Sequence, residues 1–241
     1  MNLKNILPTD GPPLGEVNKY IEKYKNDLIV IKYGGNVLID RNVFNNFITD
    51  LFILNKLGLS TVVVHGGGPR IQRELDKSNI QSKFIRGLRV TDKNIINIVE
   101  SVLIDFNDDI VQNLNNKGSE GVSIHTKNNN IIEVIPEVKE LGFVGIPTAI
   151  NNDIILNILE QNKIPIVSPL GLDKNNQTYN INGDTAAMAI AKSLKARRLL
   201  LMTNVNGVLD KGKKLIEEIS SSEVLEMIKN ETITEGMIPK I

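Results

Sequence analysis

The sequence contains neither cysteine nor tryptophan in its 241 residues. Without thiols it has no route to disulfides or to thiolate metal sites. Histidine is nearly missing as well. His65 and His125 are its only 2 histidines, too few for a histidine-based zinc centre and poor material for a serine–histidine triad. No apolar run approaches the roughly 18 residues that a membrane-crossing helix needs, and the opening Met1-Asn2-Leu3-Lys4-Asn5 has no apolar signal core. Neither sign of charge is in excess, since 28 basic residues face 28 acidic ones. The chain therefore has no net field to gather nucleic acid or an acidic membrane surface, and any anion it binds must be held by local geometry. A cytoplasmic protein acting on small molecules is the expectation.

The composition that remains, 41% hydrophobic and 23% charged, is that of a chain able to bury a full core. Its length suits one large α/β domain or two closely packed lobes. Gly11-Pro12-Pro13 rules out regular helix at the start, and Leu14 to Tyr24 then reads as a short amphipathic helix. Leu28-Ile29-Val30-Ile31 is a short apolar run, as expected of a strand buried on both faces, and it enters Lys32-Tyr33-Gly34-Gly35-Asn36. A helical stripe from Val43 to Leu54 ends near Gly58. A second apolar strand, Thr61 to Val64, then enters His65-Gly66-Gly67-Gly68-Pro69 and a further helix. Strand, glycine loop and helix thus occur twice in succession, the rhythm of a parallel sheet with helical crossovers.

Further on, Ile95 to Leu114 predicts a long helix closed at Gly118. Val122–Ile124 and Ile131–Ile135 read as short strands on either side of Asn128-Asn129-Asn130. A helix over Asp153 to Leu159 precedes the apolar strand Ile164-Pro165-Ile166-Val167, whose proline suggests a strand start or a sheet edge. Thr185 to Leu194 predicts a helix of small residues, and Leu199 to Met202 a strand that enters Thr203-Asn204-Val205-Asn206-Gly207.

Glycine loops after buried parallel strands stand where α/β folds place ligands, because backbone N–H groups approach an anion closely there and a helix N-terminus adds partial positive charge. The same glycines also serve plain tight turns. Neither loop has the G-x-G-x-x-G or G-x-x-x-x-G-K-[ST] spacing, so a dinucleotide site or Walker loop is not supported. Lys32 reads either as a lysine snorkelling from a strand end or as an ammonium held over a phosphate. His65 reads as a hydrogen-bonded structural residue. Arg86 and Arg89 offer guanidinium forks suited to a carboxylate, or are simply solvated. Asn182 or Asp184 suits an N-cap. Lys240, after Glu235-Gly236-Met237-Ile238-Pro239, carries no meaning alone.

Taken in order, a set of segments resembles the amino-acid kinase family and, within it, the acetylglutamate kinases. They are Lys32-Tyr33-Gly34-Gly35-Asn36, His65-Gly66-Gly67-Gly68-Pro69, Gly87-Leu88-Arg89-Val90-Thr91-Asp92, Leu141-Gly142-Phe143-Val144-Gly145, Asn180-Ile181-Asn182-Gly183-Asp184, Thr203 to Leu209 and Gly236 to Lys240. The resemblance runs from about residue 28 to the last residue. It implies a three-layer αβα sandwich around a mostly parallel sheet, with an N-terminal extension helix over residues 1–27, an acetylglutamate-binding lobe over 28–195 and a nucleotide-binding lobe over 196–241. Relatives of this pattern continue past the position of Lys240, so the resemblance implies that the C-terminal, nucleotide-binding part is incomplete.

The resemblance also implies roles. Lys32 and Lys240 would contact the phosphoryl group in flight, and Asp184 would hold both lysines. Gly67 and Gly68 would donate backbone hydrogen bonds to the substrate, Arg89 would clamp its α-carboxylate, and Asn180 would bind the same molecule. Gly34, Gly35, Thr203, Asn204, Gly207 and Leu209 would serve ATP, with Mg²⁺ carried on the ATP phosphates and no metal ligands on the protein. The implied reaction is ATP-dependent phosphorylation of the γ-carboxylate of N-acetyl-L-glutamate in arginine biosynthesis. Two alternatives are a non-catalytic acetylglutamate-binding remnant and a kinase for a related carboxylate such as an aminoadipate derivative. The implied partners beyond the substrates are further copies of the chain, as dimer or hexamer, and a nitrogen-signalling PII-type protein. A carboxylate acceptor is ionised at pH 7, so such a reaction needs no general base. Lysines, magnesium and backbone donors suffice to offset the repulsion between two anions.

Overall fold

The first two apolar runs become neighbouring strands, β1 (Leu28–Tyr33) and β2 (Ser60–His65), paired in parallel with Leu28 beside Ser60 and Tyr33 beside His65. They belong to a computed structural model that describes residues 7–8, 11–25, 27–34, 40–203, 205, 207–233 and 237. On the far side of β1 lies β11 (Arg198–Met202). On the far side of β2 lie β8 (Ile164–Val167) and then β5 (Gly121–Ile124), every pairing parallel. The proline in β8 marks a strand start and not an edge. β8 sits between β2 and β5, and its pairing with β2 begins at Ile166, one residue after the missing N–H of Pro165.

Side chains alternate across this sheet. Ile29, Ile31 and Tyr33 point to a layer formed by α2 (Arg41–Lys56) and α4 (Lys93–Lys117), where they pack with Phe47, Leu51, Phe106 and Ile110. Tyr33 is fully buried, its ring stacked on that of Phe47 with centroids 3.9 Å apart. Val30, Val62 and Val64 point to the other layer, where α5 (Asn152–Glu160) and α6 (Gly183–Ser193) contribute Ile155, Ala186, Ala187 and Ile190. This is the expected three-layer sandwich. The alanines of α6 let it lie close over β1.

Both long helices are capped by side chains. Asp40 accepts from Asn42 and Val43 at the start of α2, and Asp92 accepts from Asn94 and Ile95 at the start of α4. Gly118 closes α4 in the left-handed region at φ 96°. A shorter helix, α3 (Gly68–Lys77), packs Ile71 and Leu75 against α4. Helix α1 (Leu14–Tyr24) occupies the expected range.

Some elements have no counterpart in the sequence reading. They are the hairpin β3 (Phe84–Ile85) and β4 (Leu88–Arg89), helix α7 (Ser221–Lys229), and strands β7 (Gly145–Ile150), β9 (Leu170–Leu172) and β10 (Thr178–Asn180). These last three join β6 (Ile132–Pro136) in a second sheet of order β10-β9-β6-β7. The two short strands around Asn128–Asn130 are therefore not partners: β5 completes the parallel sheet and β6 enters the second one. The expected lobe boundary at 195/196 falls between α6 and β11, and β11 is hydrogen-bonded along β1 from Ile29 to Tyr33.

Where β2 ends, His65 is fully buried and ties three elements together. Its Nδ1–H donates to Gly66 O (2.9 Å), while Nε2 stands 3.1 Å from Ser168 Oγ and 3.2 Å from Asn107 Nδ2. Asn107 in turn donates to Ile166 O at 2.9 Å. His65 is thus a structural, hydrogen-bonded residue. Burial, helped by the charge of Arg70, lowers its pKa from 6.5 to about 4. The fold holds this imidazole neutral, whereas an unfolded chain protonates it near pH 6.5. Its contribution is therefore complete above pH 6.5 and is lost as the pH falls toward 4. Urea unfolding of the native protein should lose about 2 kcal/mol more than that of His65→Gln between about pH 7 and pH 5. Parallel pH dependences would contradict this assignment.

Candidate active site

The alternation that sends Val30 toward α6 sends Lys32 there too, at the carboxyl end of a strand with neighbours on both sides, Leu201 and Val64. The side chain cannot reach open water from this position, and Lys32 is only 7% exposed. Its ammonium meets the carboxylate of Asp184, 4% exposed, with Nζ 2.9 Å from Oδ1. The choice of N-cap on α6 is settled by the same geometry. Asn182 caps the helix by accepting from the backbone N–H of Asp184 and Thr185, which frees Asp184 to face the lysine.

At Gly34 the absence of a side chain leaves room for the lysine head. A Cβ on Gly34 would collide with Nζ and Cε of Lys32, and one on Gly183 would lie 3.5 Å from the same Cε. A Cβ on Gly67 would collide with Leu103 Cδ2. Gly67 is also the N-cap of α3, so the N-termini of α3 and α6 converge on the cleft that holds Lys32. The first-turn N–H groups of a helix have no intrahelical partner, and with the helix dipole they favour an anion.

Arg89, on β4, lines the same cleft at 9% exposure. Its Nη1 donates to Gln72 Oε1 at 2.9 Å and to Ser82 Oγ, and Nη2 reaches Gly68 O at 3.4 Å. The guanidinium also lies 4.7 Å from the ring centroid of Phe84. Burial lowers its pKa and the Asp76 carboxylate partly offsets that. Asn180, at the end of β10, donates from Nδ2 to Thr91 Oγ1 at 3.3 Å. Its strand is held by Asn180 N–H to Phe143 O (2.9 Å) and Phe143 N–H to Thr91 O (2.7 Å). Gly142, at φ 68°, is required at this crossing because a Cβ there would collide with Thr91 O.

The structure thus brings Lys32, Gly67, Gly68, Arg89, Asn180 and Asp184 together around a cleft of about 220 Å³. Gly34 lies beneath it, against Lys32. Thr203, Gly207 and Leu209 do not line it. Thr203 directly follows β11, whose Met202 pairs with Tyr33, so it emerges beside Gly34. Leu209 bridges to Leu215 and is 41% exposed. Gly35, Asn204 and Lys240 lie outside the described residues. Gln72 and Ser82, which hold Arg89, escaped the sequence reading. Neither stands in a glycine loop or next to a motif, and only the fold brings them to the guanidinium. A larger cavity, about 440 Å³, is bounded by α2, α3 and α4 and shares no lining residue with the cleft. Its Arg70 is already paired with Asp109 at 3.0 Å. Among the described residues, no helix is long and apolar enough to cross a membrane.

A buried lysine–carboxylate pair, two helix N-termini and an arginine line one cleft, a set of groups suited to holding anions. The amino acid kinase family matches residues 27–241, and the chain belongs to that family. Within it, the chain is 55% identical over 239 residues to the acetylglutamate kinase of Pelagibacter ubique (strain HTCC1062), covering 99% of this chain and 83% of that protein. Among solved structures, a Streptococcus mutans UA159 protein superposes with a TM-score of 0.81 at 35% identity, over 89% of this chain and 87% of that one. The N-acetylglutamate synthase of Neisseria gonorrhoeae, complexed with coenzyme A and N-acetyl-glutamate, gives a TM-score of 0.79 at 22% identity over 90% of this chain and 52% of that one, a likeness of fold alone.

Proposed function

We infer that the chain transfers the γ-phosphoryl group of ATP to the γ-carboxylate of N-acetyl-L-glutamate, giving the acyl phosphate and ADP. The observation that carries this reading is that the buried Lys32–Asp184 pair and Arg89 line one cleft. Two such cations suit a dicarboxylate with one carboxylate clamped and the other presented for reaction. The relatives' common name, acetylglutamate kinase, supports the same substrate.

In this reading Arg89 takes the α-carboxylate, and Asn180, Gly67 and Gly68 fix the rest of the acceptor. The acceptor's γ-carboxylate oxygen forms a bond to the γ-phosphorus as the bond from phosphorus to the β,γ-bridging oxygen breaks, leaving ADP. No proton moves. Two anions must meet, so positioning and charge stabilisation supply the rate. Lys32 spreads the charge of the phosphoryl group in flight, and Asp184 fixes where its ammonium points. Lys240 is assigned the second contact. ATP is assigned to Gly34, Gly35, Thr203, Asn204, Gly207 and Leu209. The cleft suits a phosphate chain in one testable respect: a Cβ at Gly34 would collide with the Lys32 ammonium, so only side-chain-free backbone fits beside it. Mg²⁺, bound through the ATP phosphates, supplies further charge neutralisation. The reading extends to homo-oligomeric assembly as dimer or hexamer, and α1 is the element offered for it, because only Val17 of this amphipathic helix is buried. A PII-type protein is the further partner assigned.

Purified protein with ATP, Mg²⁺ and acetylglutamate should yield an acyl phosphate that hydroxylamine traps as the hydroxamate. Acetylglutamate-independent turnover, or turnover only with an aminoadipate derivative, would contradict the substrate assignment. Two substitutions separate the ends of the cleft. Lys32→Ala should lower kcat by roughly 10²–10³-fold with little change in the acetylglutamate KM. Arg89→Ala should raise that KM by roughly 10–100-fold, the loss of a charge-assisted contact, and an unchanged KM would remove the clamp.

A further inference from the structure

Arg89 does not stand free in the cleft waiting for a carboxylate, because protein acceptors already fix its orientation. Gln72 Oε1 and Ser82 Oγ both accept from Nη1, which accounts for the two hydrogens of that nitrogen. Nη2 reaches Gly68 O with one of its two, and Nε has no acceptor among the described residues. A guanidinium binds a carboxylate best through two parallel N–H groups. With Nη1 saturated, the edge that remains for such a fork is the one formed by Nε and Nη2.

Gln72 is itself held. Its Nε2 donates to Asp76 Oδ1 at 2.8 Å, one helical turn along α3. A side-chain amide that gives its N–H₂ to a carboxylate must turn its oxygen the other way, and here that oxygen meets Arg89. The Asp76 carboxylate also acts on Arg89 through space, favouring its charged form. Asp76, Gln72 and Arg89 thus form a relay from the surface of α3 to the cleft, with Ser82 as the second brace.

We propose that Gln72 is a positioning residue for substrate selection: it turns Arg89 so that the Nε/Nη2 edge meets the carboxylate on the substrate's α-carbon. The proposal rests on the reading of Arg89 as the α-carboxylate clamp. Gln72 touches no reacting atom, so its effect is confined to molecules that carry that carboxylate.

The test compares kcat/KM for acetylglutamate with that for 4-acetamidobutanoate, which keeps the acceptor carboxylate and the acetamido group and lacks only the α-carboxylate. Gln72→Met keeps length and loses both hydrogen bonds. It should reduce the preference for acetylglutamate by about tenfold. The loss should appear as a raised acetylglutamate KM, with kcat within about twofold and 4-acetamidobutanoate unaffected. Ser82→Ala, which removes the other Nη1 acceptor, should shift the ratio in the same direction and supplies the test if Gln72→Met does not fold. Equal losses on both substrates would reduce Gln72 to a packing role, and an unchanged ratio in both variants would overturn the proposal. The clamp reading fails separately, if the native protein does not prefer acetylglutamate or if Arg89→Ala leaves that preference intact.

Discussion

A lysine ammonium at 7% exposure is tolerable only with a partner, and the contact between Lys32 and Asp184 is the constraint on which the site depends. Removing one member of a buried ion pair leaves a desolvated charge and costs roughly 3–5 kcal/mol. The two residues come from distant parts of the chain, so the pair forms only when β1 is an interior strand and the N-terminus of α6 lies over its end. The parallel pairings of β1 with β2 and β11 secure the first condition, and the alanines of α6 packed on Val30 and Val62 secure the second. The glycine at 34 follows from the same contact, because a Cβ there would collide with the end of the lysine.

The surroundings of Arg89 in the cleft are built on a different principle. Arg89 belongs to a two-residue strand in a small hairpin, so backbone pairing alone does little to fix its side chain. Its direction comes from Gln72, Ser82, Gly68 and the face of Phe84. One cation is therefore positioned by the main sheet and the other by a ring of side chains. In a chain whose formal charges balance, 28 against 28, such local placement is what allows anions to be held. His65 completes the picture from behind the glycine loop. As a neutral donor to Gly66 O it fixes the turn that leads into α3 and adds no charge of its own.

The central sheet was legible because its strands are short apolar runs ending in glycine loops, and the helices between them carry apolar stripes and clear stops such as Gly58 and Gly118. The roles of Lys32, Asp184, Arg89 and Asn180 were reached by resemblance; the residues alone favoured a phosphate contact for Lys32 over a snorkelling lysine, but an N-cap for Asp184 or Asn182 and a solvated arginine for Arg89. The second sheet was legible only at β6, where the run Ile131–Ile135 predicted a strand. β9 and β10 are three residues each and β7 carries Pro147, so these strands are too short or too irregular to show an alternation. Helix α7 did have a signal, the Ser220…Glu223 capping box, that the sequence reading did not use. Gln72 could not be found from sequence, since its meaning lies in a contact 17 residues away across two elements.

The claim that the Lys32–Asp184 pair is the phosphoryl-transfer centre is tested most directly by steady-state kinetics of Asp184→Asn, with its unfolding midpoint measured alongside. The substitution keeps the shape of the side chain and removes the charge that fixes Lys32. A folded variant with kcat down by at least about 100-fold and an acetylglutamate KM within a few-fold of native is the predicted result. A folded variant that keeps its kcat would contradict the account, because the chemistry would then not depend on the buried ion pair in the cleft.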